Sequence, residues 1–250
     1  MPSRMKADPP TGDELVRAAV ARGPLFDPEA IPHDPAFDDP VERGSAVRAE
    51  QLAAAALRAR FARPPAWSPE LRTDGRWRSP ERVPRPAAVL VPLVTRGDRL
   101  DVLLTRRTAH LHDHAGQISF PGGRVDPAAR DAIHTALREA DEEIGLPADT
   151  VEVLGALPEY VTATGYAVTP VVGLIAQPFS LRLDTFEVAE AFEVPLPFLM
   201  DPANHERRRI VFDGAPRSFY AMPWTQAQRR YFIWGATAAM LRNLYHLLRA

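Results

Sequence analysis

Three glutamates near the middle of the chain have the spacing of a shared metal site. Glu139, Glu142 and Glu143 occupy positions i, i+3 and i+4 of a segment whose apolar residues repeat with a helical period. An α-helix turns once in about 3.6 residues, so the three carboxylates should project from one surface. They lie near the predicted carboxyl end of the helix, where the helix dipole disfavours negative charge. A hard divalent cation such as Mg²⁺ would favour this set, because it prefers oxygen ligands.

Neighbouring residues favour this interpretation over a solvated acidic helix face, which is the usual meaning of an isolated Glu-x-x-Glu-Glu pattern. Arg138 directly precedes the cluster and can hold one carboxylate by a charge-assisted hydrogen bond. Upstream, Gly122 and Gly123 let the backbone approach a ligand closely, and their carbonyls are available to a metal.

The helix that carries the cluster is predicted over residues 127–144. Asp126 would be its N-cap, Pro127 its first helical residue and Gly145 its left-handed C-cap. Its apolar face comprises Ile133, Ala136, Leu137, Ala140 and Ile144.

The elements around this helix alternate in a way that predicts an α+β or mixed three-layer domain. Residues 96–98 read as a turn, and residues 106–120 as a loop or strand edge. Strands are predicted over residues 87–95, 100–105, 151–157 and 168–176, a hairpin over 208–221 around Asp213 and Gly214, and a final helix over 234–248.

Residues 1–83 differ from the rest, because the chain up to about residue 86 holds more than half of the 26 prolines. We interpret residues 1–83 as a partly helical, proline-rich extension of a domain over residues 84–250. One helix should begin at a capping box of Thr11 and Glu14, and another should span residues 46–62 with Ser45 as N-cap. Residues 27–40 should be irregular.

Composition excludes several classes of protein. A chain of 250 residues corresponds to one or two domains. It has no cysteine, which excludes disulfides, cysteine-ligated metals and a cysteine nucleophile. The net charge of -2 argues against nucleic acid as partner, and no apolar run is long enough to span a membrane. The amino terminus does not read as a secretory signal, so the expected location is cytoplasmic.

Residues 123–146 resemble the Nudix box, the loop–helix signature of hydrolases that cleave nucleoside diphosphates linked to another moiety. The Arg-Glu-x-x-Glu-Glu-x-Gly core matches fully. Two features depart from the box: its glycine-to-arginine spacing is one residue longer, and its early glutamate falls near Ala129 or Arg130, neither of them acidic. The resemblance implies a mixed β-sheet sandwiched between helices, with Mg²⁺ or Mn²⁺ as cofactor.

A second motif resembles the coenzyme A pyrophosphatase branch of this family. It consists of residues 103–108, then Gly116, then residues 120–123, and the longer box spacing also occurs in that branch. Departures are Thr108, where the branch usually has Ser or Ala, and His112, where it usually has Arg. Together with similarities at residues 187–188, 192–196 and 233–238, the resemblance covers residues 84–250.

The resemblance implies hydrolysis of the coenzyme A pyrophosphate to 3',5'-ADP and 4'-phosphopantetheine, with acyl esters as further substrates. The implied metal-binding residues are Glu139, Glu142, Glu143 and Gly123, and the implied catalytic residues are Glu139, Glu142 and Arg138. Arg138 would orient the cluster, and either Glu139 or Glu142 would take the proton from water.

Further residues are weaker candidates. Arg107, Gly122 and His112 would bind substrate, although Arg107 is equally well explained by a salt bridge to the helix. Glu187 is an extra candidate for the site, with an ordinary surface carboxylate as the alternative. His110, His112 and His114 would share one strand face, but the resemblance gives them no metal role.

Two other functions stay open at this point. A Nudix enzyme could act on ADP-ribose, NADH or a dinucleoside polyphosphate, or the domain could be a non-catalytic ligand sensor. A small molecule is the expected partner in each case, and a homodimer is left open.

Overall fold

The computed structural model describes residues 27–74, 83–110, 115–126, 131–176, 179–212 and 215–250. The helices are α1 (Pro40–Arg43), α2 (Ala54–Ala62), α3 (Ala132–Ile144), α4 (Leu196–Leu199) and α5 (Gly235–Arg249). The strands are β1 (Arg85–Arg96), β2 (Arg99–Arg107), β3 (Ile118–Ser119), β4 (Gly122–Arg124), β5 (Val151–Ala156), β6 (Tyr160–Val161), β7 (Tyr166–Ile175), β8 (Val188–Pro195), β9 (Glu206–Phe212), β10 (Ala215–Gln226) and β11 (Arg229–Trp234). Within this part of the chain, no helix has the length and apolar character of a membrane span.

The central sheet is mixed, with β1 in its middle. Strand β1 pairs in parallel with β7 and antiparallel with β2, and the main strand order is β3-β2-β1-β7-β5. Strand β4 also pairs with β1, β6 pairs with β7, and β8 pairs with β2. A separate three-stranded sheet has the order β11-β10-β9.

Alternating side chains of β1 separate the two faces of the central sheet. Leu90 and Val94 pack with the apolar side of α3, whereas Val91 and Leu93 pack in the core that contains α5. The sheet therefore lies between helices, and the predicted α+β fold with a mixed sheet between helical layers is confirmed.

The strongest sequence patterns located most of the elements. The predicted strands correspond to β1, β2, β5 and β7, the final helix corresponds to α5, and β9 and β10 form the predicted hairpin. The turn at Asp213 and Gly214 lies outside the described residues. Strands β4, β6, β8 and β11 were not predicted.

The described part of the extension, residues 27–74, contains less regular helix than predicted. The helix over residues 46–62 with Ser45 as cap is wrong: a 3₁₀ turn covers Ala49–Leu52, and α2 begins at Ala54. Ala53 is extended (φ −70°, ψ 147°), which interrupts the helix between the buried Leu52 and Leu57. Residues 27–40 are mainly irregular with two 3₁₀ turns, at Pro28–Ala30 and Pro35–Asp38. The helix predicted at Thr11 lies outside the described residues.

Residues 27–74 pack on the α5 face of the sheet. Phe37, Leu52 and Leu57 belong to the same buried cluster as the apolar side chains of α5. The Tyr245 hydroxyl donates to the carbonyl of Ser45 at 2.8 Å, and the Gln51 side chain donates to the carbonyl of Leu248 at 3.4 Å. The domain boundary near residue 84 stays a prediction.

A polar network joins the same segment to α5. The carboxylate of Glu70 accepts hydrogen bonds from Arg242 at 2.8 Å and from the Tyr220 hydroxyl at 2.5 Å, and it lies 2.5 Å from Nε2 of His246. Burial alone would raise the pKa of Glu70. The hydrogen bond with His246, the charge of Arg242 and the other hydrogen bonds outweigh burial and lower this pKa to about 2.

Candidate active site

Helix α3 positions the glutamates, and its caps are set by local residues. Asp131 is extended (φ −166°, ψ −178°) and accepts a hydrogen bond from the backbone N–H of His134 at 2.7 Å, so it is the N-cap. The predicted start of this helix, with Asp126 as cap and Pro127 as first residue, is therefore wrong. Residues 127–130 lie outside the described residues. Gly145 is the left-handed C-cap, as predicted, with φ 66°.

The three glutamates of α3 run from the interior to the solvent. Glu143 is buried with 5% of its surface exposed, Glu139 is half-buried, and Glu142 is exposed. Ala136, Ala140 and Ile144 hold the helix against the sheet, so Glu143 is drawn toward β4 while Glu142 stays outside. The carboxylates thus share one region of the helix but differ greatly in solvation.

Arg138 contacts two of these carboxylates. Its guanidinium donates to Glu139 at 2.5 Å and to Glu142 at 2.6 Å. One planar cation therefore bridges adjacent acidic side chains and fixes their spacing.

The two glycines of β4 lie directly against the glutamates. A side chain at Gly123 would overlap the carboxylate of Glu139, so only glycine lets the two approach this closely. At Gly122, a side chain would collide with the backbone of Ala88 and Val89 in β1. The N–H of Gly122 points to Glu143 Oε2 at 3.3 Å, so in this structure it holds a glutamate rather than facing the solvent.

Glu143 has few partners for a buried carboxylate within the described part of the chain. Besides Gly122, it has Arg107, whose guanidinium nitrogen is 3.8 Å from Oε1. Burial raises the pKa of Glu143 to about 8, and the charges of Glu187 and Glu139 add to the rise, while Arg107 and Gly122 only partly oppose it. The pKa of Glu139 is also raised, first by burial and then by the charges of Glu142 and Glu187, against the opposing effect of Arg138.

Glu187 belongs to this electrostatic group, although it lies far away in the sequence. It is half-buried, and its charge acts on both Glu139 and Glu143. The turn before it is held by Thr108, whose backbone N–H donates to the Glu187 carbonyl at 2.9 Å and whose hydroxyl donates to the Phe186 carbonyl at 2.8 Å. The sequence showed no sign of this role for Thr108, because the hydroxyl contact joins residues 78 positions apart.

The structure places the residues that were predicted to bind substrate in different environments. Arg107 forms the ion pair to α3 that was its alternative explanation, and its buried Nε has no hydrogen-bond acceptor among the described residues. His112 and His114 lie outside the described residues. His110 packs against the ring of Phe186, with the ring centroids 4.9 Å apart.

The candidate oxygen donors are the carboxylates of Glu139, Glu142 and Glu143 and the carbonyl of Gly123. Their chemistry and their number fit a hard divalent cation. As the side chains stand, no three acidic or histidine groups among the described residues converge on one point, because Arg138 holds Glu139 and Glu142. Glu143 nevertheless remains a buried, poorly partnered oxygen donor, and the closely approached backbone at Gly123 lies beside Glu139. Carboxylate and carbonyl oxygens are the ligands that Mg²⁺ prefers.

Comparison with known proteins identifies the family. The family model of the NUDIX domain matches residues 84–210. The protein named "Uncharacterized Nudix hydrolase NudL" from Escherichia coli K12 is 44% identical over 160 residues, which are 64% of this chain and 81% of the relative. The protein of the same name from Shigella boydii serotype 18 has the same identity and coverage.

Two solved structures that are similar to parts of this chain are also described as hydrolases. One is the Nudix hydrolase RenU from M. smegmatis, with 27% identity and a TM-score of 0.40 over 46% of this chain and 73% of that one. Another is a binary complex of the C. elegans Ap4A hydrolase, with 20% identity and a TM-score of 0.39 over 44% and 80% of the two chains.

The assignment rests on the family model and on the relatives at 44% identity. Nudix hydrolases act on small nucleoside diphosphate derivatives and generally use divalent metal ions such as Mg²⁺ or Mn²⁺. The chain described here belongs to the Nudix family and is a hydrolase of that kind.

Proposed function

We propose that this Nudix hydrolase is a divalent-metal-dependent coenzyme A pyrophosphatase. It would hydrolyse the pyrophosphate of coenzyme A and its acyl esters to 3',5'-ADP and (acyl-)4'-phosphopantetheine. The observation that carries a cation-dependent reaction is the buried, poorly partnered Glu143 beside Glu139 and the glycines of β4. The choice of coenzyme A rests on the motif over residues 103–123, which resembles the coenzyme A branch of the family.

The proposed metal ligands are the carboxylates of Glu139, Glu142 and Glu143, with the carbonyl of Gly123. A bound Mg²⁺ or Mn²⁺ would neutralise charge on the pyrophosphate and lower the pKa of bound water. Glu143 is the firmest candidate, because a cation would supply the positive charge that Arg107 supplies only from 3.8 Å.

The remaining roles follow from the positions of the other side chains. Arg138 positions Glu139 and Glu142, and one of these two takes the proton from the attacking water. Glu187 is the alternative base, since its charge already acts on the same carboxylates. Arg107 is close enough to the cluster to contact the substrate after a small movement, and its unpaired Nε can donate to a phosphate oxygen.

Another nucleoside diphosphate derivative is the second candidate substrate class. The missing early glutamate of the box and the replacement at His112 are the observations that favour it. It would use the same carboxylates and differ only in what the rest of the site recognises.

Chromatography of coenzyme A incubated with the protein and Mg²⁺ or Mn²⁺ tests the proposal. We expect 3',5'-ADP and phosphopantetheine with the unmodified chain and almost none with Glu139→Gln. Glu50→Gln is the matched control, because Glu50 is exposed, pairs with Arg48 and lies far along the chain from α3. A folded, metal-loaded protein that cleaves ADP-ribose or NADH but not coenzyme A would contradict the proposal.

A further inference from the structure

Two arginines and a tyrosine form a cluster that the proposed reaction leaves without a role. The guanidinium carbon of Arg85 lies 4.3 Å from the centre of the Tyr166 ring, and that of Arg124 lies 5.5 Å from the same centre. Arg124 Nε also donates to the Tyr166 hydroxyl at 2.8 Å. Both arginines are exposed and Tyr166 is half-buried, so the cluster opens to solvent.

The strand register brings these residues to one place. Arg85 is the register partner of Tyr166 between β1 and β7, and Ala87 is the partner of Arg124 between β1 and β4. Residues 85 and 87 are two apart on β1 and therefore face the same side of the sheet. The three side chains meet on one face, at the end of the sheet where β1 and β7 begin.

Among the residues that the structure describes, this cluster has positive charge without a matching carboxylate. Other arginines of this protein lie next to a carboxylate, as Arg96 lies next to Glu193 and Arg58 next to Glu152. No carboxylate of the described residues forms an ion pair with Arg85 or Arg124. Two cations on one aromatic ring repel each other, and a bound anion would relieve that repulsion. Guanidinium groups suit phosphate oxygens, because their planar donors can bind two oxygens at once.

The cluster adjoins the proposed catalytic residues. Arg124 directly follows Gly123, whose backbone lies against the carboxylate of Glu139. Since successive side chains of a strand alternate, Arg124 faces the other side of the sheet from Glu139. Strand β4 is three residues long and, within the described residues, pairs with β1 alone. A ligand with one phosphate group at the glutamates and another at the arginines must pass the edge of this short strand.

We propose that Arg85, Arg124 and Tyr166 form a subsite for the 3'-phosphate on the adenosine half of the substrate. This inference rests on the proposed coenzyme A pyrophosphatase function. The pyrophosphate belongs at the metal-binding glutamates, so the arginines are left for a second phosphate group. Coenzyme A has this group, whereas ADP-ribose and NADH do not, and the subsite would therefore select among the substrate classes considered above.

A substrate pair that differs only in this phosphate tests the subsite. The ratio of kcat/KM for coenzyme A to kcat/KM for 3'-dephospho-coenzyme A is measured for the intact protein, Arg85→Gln, Arg124→Gln and the double variant. We expect each single variant to lower the ratio about tenfold, the effect of losing one charge-assisted phosphate contact. Arg124→Lys should recover part of the loss, because it keeps the charge but not the planar donors.

Arg63→Gln is the matched control, an exposed arginine at the end of α2 that should keep the ratio of the intact protein. Equal losses on both substrates would place the arginines on the pyrophosphate and overturn the 3'-phosphate assignment. An unchanged ratio in the double variant, or no preference in the intact protein, would also overturn it.

A binding measurement separates failure of the subsite from failure of the proposed function. If the intact protein cleaves neither substrate, the coenzyme A function fails. Calorimetric titration with adenosine 3',5'-bisphosphate and with AMP then decides about the subsite. Tighter binding of the bisphosphate that disappears in the double variant upholds the subsite, and a preference that persists in the double variant, or no preference at all, overturns it.

Discussion

Glu70 and Glu143 lie on opposite faces of the central sheet and have opposite pKa shifts. About 31% of the Glu70 side chain is exposed, against 6% of the Glu143 side chain. Glu70 has hydrogen bonds with Arg242, Tyr220 and His246, and its pKa is lowered to about 2. Glu143 has one long hydrogen bond from Gly122 and a cation at 3.8 Å, and its pKa is raised to about 8. Burial raises the pKa of both carboxyl groups, and at the less buried Glu70 the number and quality of partners outweighs it.

The difference in partners distinguishes Glu70, a structural carboxylate, from Glu143, a carboxylate that lacks a ligand. Glu70 has its full set of partners from the protein itself and joins two segments of the chain. Glu143 is folded into a position where its charged form is poorly stabilised, which is a common property of functional sites. The predictions below test this contrast, beginning with the largest effect.

Replacing Glu143 by Gln should remove activity without weakening the metal-free fold. Loss of a residue that merely supports a metal ligand typically lowers metal affinity or activity about 10–100-fold. Loss of a ligand itself should therefore lower kcat by at least about a hundredfold. The raised pKa means that protonated Glu143 contributes stability that is fully present below pH 4.5 and is lost as the pH rises through about 8. Gln keeps a neutral side chain, so with chelator present at pH 9 the variant should unfold at higher urea concentration than the intact protein.

A Glu143→Gln variant that is clearly less stable than the intact protein at pH 9 would make Glu143 structural, like Glu70. The contrast between the two faces would then be lost.

Replacing Glu70 by Gln should have the opposite effect, reducing the stability of the fold. The change weakens three contacts of a charged acceptor and leaves Arg242 without its carboxylate, so we expect a loss of about 2 kcal/mol at pH 7. Urea unfolding followed by circular dichroism measures it, and Glu50→Gln provides the exposed comparison. A loss as small as that of Glu50→Gln would show that the network contributes little.

The stability supplied by Glu70 should also depend on pH. Because its folded-state pKa is lowered, the contribution is present above about pH 4.5 and is lost as the pH falls toward 2. The difference between the intact protein and Glu70→Gln should therefore shrink between pH 5 and pH 3. A difference that stays constant over that range would assign the effect to packing.

Tyr220→Phe should have a smaller effect in the same direction. It removes one hydrogen bond to Glu70 but keeps the ring that packs on Phe37, so we expect a loss of about 1 kcal/mol. In Glu70→Gln the same change should cost less, because the hydroxyl no longer meets a charged acceptor. Equal costs in the two backgrounds would mean that the hydroxyl acts independently of the Glu70 charge.

The smallest effect is expected at the turn between β10 and β11. Gln226 pairs with Arg229, so the loop consists of Ala227 and Gln228, both with positive φ (46° and 66°). Such two-residue turns favour Asn-Gly. The double change Ala227→Asn and Gln228→Gly should raise stability by about 0.5–1 kcal/mol and leave kcat/KM at the level of the intact protein. A fall in stability would show that these side chains make contacts that outweigh the backbone preference.

Local sequence patterns were sufficient for the helix and its glutamates but not for their environment. The helical repeat placed Glu139, Glu142 and Glu143 together because their spacing is fixed within one element. The burial of Glu143 depends on β4 and on the turn before Glu187, both brought in by distant strand pairing. Strand β4 contains two glycines, so it shows no alternating side-chain pattern to detect.

Where prediction failed, two local alternatives competed. Asp126 and Asp131 are both acceptable helix caps, and only the folded backbone showed that Asp131 is extended. Residues 46–62 are rich in helix-forming alanine, yet an extended Ala53 interrupts the helix between Leu52 and Leu57. Arg85, Tyr166 and Arg124 come from three separate strands, so no spacing along the chain indicated that they meet.

The packing of residues 27–74 on α5 imposes an order of events during synthesis. Phe37, Leu52 and Leu57 leave the ribosome long before the helix that covers them has been made. At about 5–20 residues per second, these apolar side chains wait roughly 10–40 s for their partner. During that interval the nascent chain exposes a surface that chaperones and proteases can recognise, and the waiting time ends only when α5 emerges.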